Sequence, residues 1–184
     1  MTARAIRRIA PDRQITTGRE VTIDVAGESD AWQALDDAAA ICRRAALAAL
    51  DAAVPALADI ELSIVLGDDA LLRQLNHRWR DKDAPTNVLS FPAQDFAAAV
   101  AVPPPGEPLP LGDVVLAHET IAREAAEQGK TIADHLAHLV VHGVLHLIGF
   151  DHAAVAEAER MEALERTVLS GIGIADPYRE IDNG

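Results

Sequence analysis

Three histidines spaced by three and five residues, in His142-Gly-Val-Leu-His146-Leu-Ile-Gly149-Phe-Asp-His152, constrain this chain more than any other stretch. Residues four apart on a helix lie one turn above each other on the same face, so His142 and His146 place two imidazoles side by side. Gly149 then supplies the left-handed conformation that ends a helix, and the chain can turn so that His152 returns beside the first pair. Three protein nitrogens with an open fourth position is the arrangement of a catalytic zinc, whereas a structural zinc is closed by four protein ligands, usually including cysteine. His135 and His138 fall on the same helical stripe, so His138, His142 and His146 form a second geometrically possible set. The set with His152 is preferred, because a straight stripe spreads its members along the axis while a turn lets the third ligand close the triangle. His138 then becomes a candidate for orienting a ligand or meeting substrate, and His135 a polar position near the helix start.

The rest of the chain alternates strand and helix patterns. Val21, Ile23 and Val25 alternate with polar residues as a half-buried strand, and residues 31–54 carry Trp32, Leu35, Ala39, Cys42, Ala46 and Leu50 at helical intervals before Pro55. A second strand follows over Ile60, Leu62, Ile64 and Leu66, then a short helix with Leu71, Leu72, Leu75 and Trp79 on its apolar side. Val88–Phe91 and Gly112–His118 read as two more strands, expected to be antiparallel neighbours bridged by the proline-rich loop 97–110. Thr120–Gly129, the histidine helix capped by Thr131 or Asp134, and residues 153–172 supply three more helices. The closing helix turns Met161, Leu164 and Val168 inward. This order predicts a single α/β (α+β) domain over residues 21–184, with a mixed sheet of about four strands packed against about five helices and a zincin-like histidine helix across one face. Residues 1–20 hold five arginines without a sustained apolar period and are expected to form a loosely ordered basic extension.

Composition narrows the function classes. A net charge of -13 argues against a protein that coats nucleic acid with a broad basic surface, so a polyanionic substrate must be gripped by a few placed arginines and the metal. No apolar run reaches bilayer length and no apolar segment lies near the N-terminus, so a soluble cytoplasmic protein without a membrane partner is expected. The lone Cys42 falls in an apolar helical pattern and reads as a small buried hydrophobe.

Three segments together resemble one family. Leu75-Asn76 through Arg80-Asp-Lys82 to Thr86-Asn-Val-Leu-Ser-Phe-Pro92, Leu111-Gly-Asp-Val-Val-Leu-Ala-His-Glu119, and above all His142–His152 are similar to the YbeY-type rRNA maturation factors, metal-dependent single-strand-specific endoribonucleases. The similarity runs in order over roughly residues 21–180, including Met161-Glu-Ala-Leu-Glu165 and Asp176-Pro-Tyr178. It implies an α/β fold, one zinc per chain held by His142, His146 and His152, and an essential arginine facing the metal at Arg80. It further implies action on single-stranded ribosomal RNA at the small subunit, in 16S 3′-end maturation and ribosome quality control, with no DNA substrate expected. Phe150 departs from the family's usual tyrosine.

The half-motif His146-x-x-Gly149-x-x-His152 is shared with metzincin peptidases, so a peptidase or other zinc hydrolase is the rival reading. Position 143 opposes it: where H-E-x-x-H enzymes carry a glutamate as general base, this chain has Gly143, which is expected to leave room for a bulky group near the ion. A phosphodiester suits such a site, since zinc lowers the pKa of bound water to about 7 and a guanidinium stabilises charge on the phosphate. On this reading His142 with that water and Arg80 are catalytic, and Arg78 and Lys82 extend a basic lip. His118, Asp151 and Asp113 are candidates to orient a ligand or shuttle a proton. A third reading is a non-catalytic ribosome-assembly factor with a structural metal.

Overall fold

The computed structural model of this chain describes residues 7–16, 19–27, 29–54, 59–96, 103, 104 and 106–179, with side chains from Arg19 onward. Ten elements run β1 (Arg7–Thr16), β2 (Arg19–Gly27), α1 (Ala38–Ala53), β3 (Ile60–Gly67), α2 (Asp69–Arg80), β4 (Val88–Pro92), β5 (Leu109–Ala117), α3 (His118–Glu127), α4 (Ile132–Leu147) and α5 (Val155–Gly171). The strands form one mixed sheet in the order β1-β2-β3-β5-β4, with β2, β3 and β5 parallel and the two edge strands antiparallel to their neighbours.

The four expected strands are all present, and β4 pairs antiparallel with β5 as the spacing predicts. Much of the loop between them, residues 97–102 and 105, lies outside the described residues. Two expectations are corrected. Residues 7–16 are not a loose extension but a fifth strand, β1, laddered onto β2 with an irregular register between Ile9 and Asp12. Pro11 sits in that irregularity, where an edge strand tolerates a residue without an N–H. Residues 31–54 are not one helix either. A short 3-10 turn over Asp30–Ala34 comes first, and Asp37 at φ 56 separates it from α1. The break sends Trp32 away from the α1 stripe, so that its indole Nε1 donates to Gly67 O at 2.8 Å.

Sheet alternation builds two unequal cores. Val21, Ile23, Val25, Ile60, Ile64 and Leu111 face α1, α4 and α5 in the larger one, with Cys42 buried beside them. Burial pushes the Cys42 thiol up to about 12, which keeps it inert. A bulge at Gly112 shifts the alternation of β5 by one, turning Val114 and Leu116 toward α4 and Asp113 to the opposite face. On that opposite face α2 alone covers a small cluster of Leu72, Leu89, Val115 and Ala117. Leu71 and Leu75 join this cluster, but Trp79, expected on the same apolar side, is 63 % exposed.

The helix that carries the histidines is the most enclosed of the described helices. α4 packs against α1, α3, α5, β4 and β5, and Leu136, Val140, Val141, Val144, Leu145 and Leu147 are all fully buried. Thr131 caps its start by accepting from the Asp134 amide at 3.0 Å. Gly143 lies where α4 meets the sheet: a Cβ there would stand 2.7 Å from Val114 Cγ1 and 3.1 Å from Ser90 Oγ. The expected open room at Gly143 is therefore taken by β4 and β5, and Ser90 Oγ donates to Gly143 O at 3.0 Å across the junction.

Candidate active site

The sequence places two histidines on a rigid surface and the third on a turn, and the structure follows it. α4 ends at Leu147, and Gly149 at φ 92 carries the backbone through a left-handed turn. The Gly149 amide donates to His146 O at 3.1 Å and the Phe150 amide to Leu145 O at 3.0 Å, which closes the last carbonyls of the helix. Phe150 packs back onto the larger core, and the exposed His152 returns to the other two rings. Ligand-capable nitrogens of His142, His146 and His152 all lie within 4.8 Å of one another.

The surrounding hydrogen bonds fix which nitrogens face inward. His142 Nδ1–H donates to Glu165 Oε1 at 2.8 Å, and His146 Nδ1–H donates to Phe150 O at 2.9 Å. With Nδ1 engaged in each ring, the two Nε2 atoms face each other 3.1 Å apart, where each can offer a lone pair. Burial, with the repulsion that a proton on His142 or His152 would add, pushes His146 down to about 4. A cation satisfies the pair. Tetrahedral zinc at its usual bond length sets two imidazole nitrogens about 3.3 Å apart, and three imidazoles suit a borderline divalent ion. The residues present fit such an ion.

Glu165 was not legible as a site residue, yet it anchors the cluster from behind. It is 0 % exposed on the inner face of α5 and accepts from His142, from His138 Nε2 at 3.4 Å and from the Tyr178 hydroxyl. Burial alone raises this carboxyl, but the hydrogen bonds from His138, His142 and Tyr178 outweigh it and hold the group down at about 2. The sequence did carry a signal. Glu165 sits four residues after Met161 and three before Val168, a carboxylate on an otherwise apolar inward stripe.

A cleft of about 570 Å³ opens beside the three rings, lined by Arg80, Thr86, Asn87, Ser90, Asp95 and Asp151, among others. Arg80 reaches it from the end of α2 and, among the described residues, makes no ion pair or hydrogen bond. Arg78 and Lys82 are not among the lining residues; the Arg78 guanidinium lies 5.4 Å from the centroid of the Trp79 ring. His138 lies behind the cleft on Glu165 and lines a neighbouring hollow with Tyr178. His135, expected as a simple polar position, is buried and bonds Glu124 at 2.8 Å, and Glu124 also accepts from Asn87 of the cleft wall.

The three residues expected to orient a ligand divide. Asp151 lines the cleft and accepts from the His152 amide at 2.7 Å, shaping the turn that presents the third ring. His118 instead packs edge-on against Trp32, ring centroids 4.9 Å apart, at the start of α3. Asp113 opens on the far face of the sheet, in a hollow with Asp24 and Glu61. Neither His118 nor Asp113 lines the cleft.

The model of the family described as Endoribonuclease YbeY matches residues 28–173. A protein named endoribonuclease YbeY from Azorhizobium caulinodans is 57 % identical over 159 residues, covering 85 % of this chain and 95 % of its own. One of the same name from Paramagnetospirillum magneticum is 56 % identical over 163 residues, covering 87 % and 98 %. A solution structure from Thermotoga maritima aligns at 21 % identity with a TM-score of 0.48, covering 89 % of this chain and 98 % of that one.

Proposed function

Because the chain belongs to the Endoribonuclease YbeY family, we propose that it is a zinc-dependent endoribonuclease that cuts single-stranded RNA in the cytoplasm. Its substrate is ribosomal RNA on the small subunit, and its roles are 16S 3′-end maturation and ribosome quality control. One observation carries the reading: three converging imidazoles share one cleft with a guanidinium that has no hydrogen-bond or ion-pair partner among the described residues.

His142, His146 and His152 would hold the ion, which supplies Lewis acidity for polarising a phosphoryl oxygen and activating water. Each of the chain's own groups then has a stated task. Arg80 donates two N–H groups to phosphate oxygens and offsets charge that builds there as the bond breaks. Glu165 and Phe150 O hold the Nδ1–H groups of His142 and His146, so each ring keeps its lone pair on Nε2. Gly143 supplies no base, and the sheet leaves no space for one at that position, which weighs against a peptidase. No helix among the described residues is long and apolar enough to cross a membrane.

Two expected results test this. Chelation of the purified protein abolishes cleavage of an end-labelled single-stranded RNA, and zinc restores it. Unchanged cleavage after the ion is removed, checked by mass spectrometry, rejects metal dependence. Glu165→Gln lowers zinc affinity by about 10- to 100-fold, read by competition with a chelating dye. An unchanged affinity means that the carboxylate serves packing alone.

A further inference from the structure

We propose that Trp79 is a stacking platform for one base of the RNA strand that enters the cleft, a subsite that rests on the endoribonuclease reading. The chain has two tryptophans and an aromatic content of only 3 %. Trp32 is buried with its Nε1 bonded, whereas Trp79 is 63 % exposed on α2. The space beneath α2 is already filled by Leu71, Leu72 and Leu75, so the core does not call for this indole. It is instead propped from one side by Phe91 of the edge strand β4, ring centroids 6.1 Å apart and tilted by 62°.

Its setting has the chemistry of a single-strand site. The next residue, Arg80, lines the metal cleft, and adjacent Cα atoms are about 3.8 Å apart, so the indole leaves the backbone beside the cleft although Trp79 is not itself among the residues that line it. The Arg78 guanidinium lies 5.4 Å from the ring centroid, and Arg80 and Lys82 follow within three residues with Asp81 between them, on a chain whose net charge is -13. Of the nearby carboxylates, Asp83 is held by Arg73 through two hydrogen bonds of 2.6 and 2.8 Å. Cations that follow a backbone and an aromatic face that takes any base are how proteins hold single strands without reading sequence. A base inside a duplex is already stacked on both faces and cannot use the platform. Trp79 thus gives the cleft a physical reason to prefer unpaired RNA.

The test uses the zinc-loaded full chain as Trp79→Ala and Trp79→Tyr, with kinetics on a short end-labelled single-stranded RNA. Trp79→Ala raises KM about tenfold while kcat changes less than about twofold, and Trp79→Tyr restores most of the loss. Melting of both variants matches wild type, because the ring is exposed. Binding is read separately in His152→Ala, which does not cut: single-stranded RNA quenches tryptophan emission, duplex RNA of the same length does not, and adding Trp79→Ala removes the quench. An unchanged KM in Trp79→Ala, or a quench that survives it, overturns the platform. Wild-type protein that fails to cut RNA at all rejects the endoribonuclease reading instead, and the quench then decides the platform alone: present, it stands as an RNA-binding site; absent, it falls.

Discussion

Replacing His152 by alanine is expected to strip the ion and to lower RNA cleavage by about three orders of magnitude or more. The melting temperature of the metal-free protein is expected to stay the same. The two outcomes separate because of where this ring sits. His152 is exposed on the turn, and its ring meets the imidazoles of His142 and His146 at centroid distances of 5.5 and 5.0 Å. His142→Ala is a poorer test, because it also takes a hydrogen bond from the fully buried Glu165. Metal content by mass spectrometry and melting in chelator are the readouts. A His152→Ala protein that retains one zinc per chain would move the third ligand to His138, the alternative set on the helical stripe. The geometry opposes that set, since His138 Nε2 is already turned to Glu165.

Arg80→Lys is expected to lower kcat/KM by about 10²- to 10³-fold with zinc content unchanged. The substitution keeps the charge and removes the planar fork, so it asks whether geometry or charge acts on the phosphate. Arg80 is exposed at the end of α2 and has no carboxylate partner among the described residues, which leaves its donors available. Arg78→Lys and Lys82→Ala serve as comparators. Neither side chain lines the cleft, so both should act weakly and lose their effect in salt. Wild-type activity in Arg80→Lys would reject the clamp, and an equal loss from Lys82→Ala would show a diffuse electrostatic role instead.

The site was legible where one local pattern settled geometry. Helical spacing fixed His142 and His146, and a glycine able to take positive φ fixed the return of His152. The same holds for β2 and β3, whose alternation shows on half-buried strands. What was missed depends on contacts far apart in the chain. β1 is laddered onto β2, but the sequence of residues 7–16 carries no sustained apolar period. Glu165 acts across 23 residues on His142, and its meaning appears only when α5 packs on α4. Gly143 looked like open space because absence of a side chain reads as room; packing against Val114 and Ser90 fills it. His118 at a strand end and Asp113 after Gly112 read equally well as site or structural residues, and strand alternation and a helix start turn them to other neighbours. Trp79 followed the helical period and still faces water, because Leu72 and Leu75 had completed the stripe before it.

The carboxylate of Glu165 bears on how this sequence can drift. It is shut away from water and shared by donors from positions 138, 142 and 178. Loss of His142 takes the donor from Oε1, His138 and Tyr178 share Oε2, and loss of the carboxylate strands up to three donors at once. A change at 165 must therefore pass through paired replacements or through a temporary loss of stability. Positions 138, 165 and 178 should vary together across relatives or not at all, while exposed neighbours on α5 such as Glu159 and Arg160 wander freely. Three segments thus hang on a single buried side chain, and that one position constrains the drift of the others.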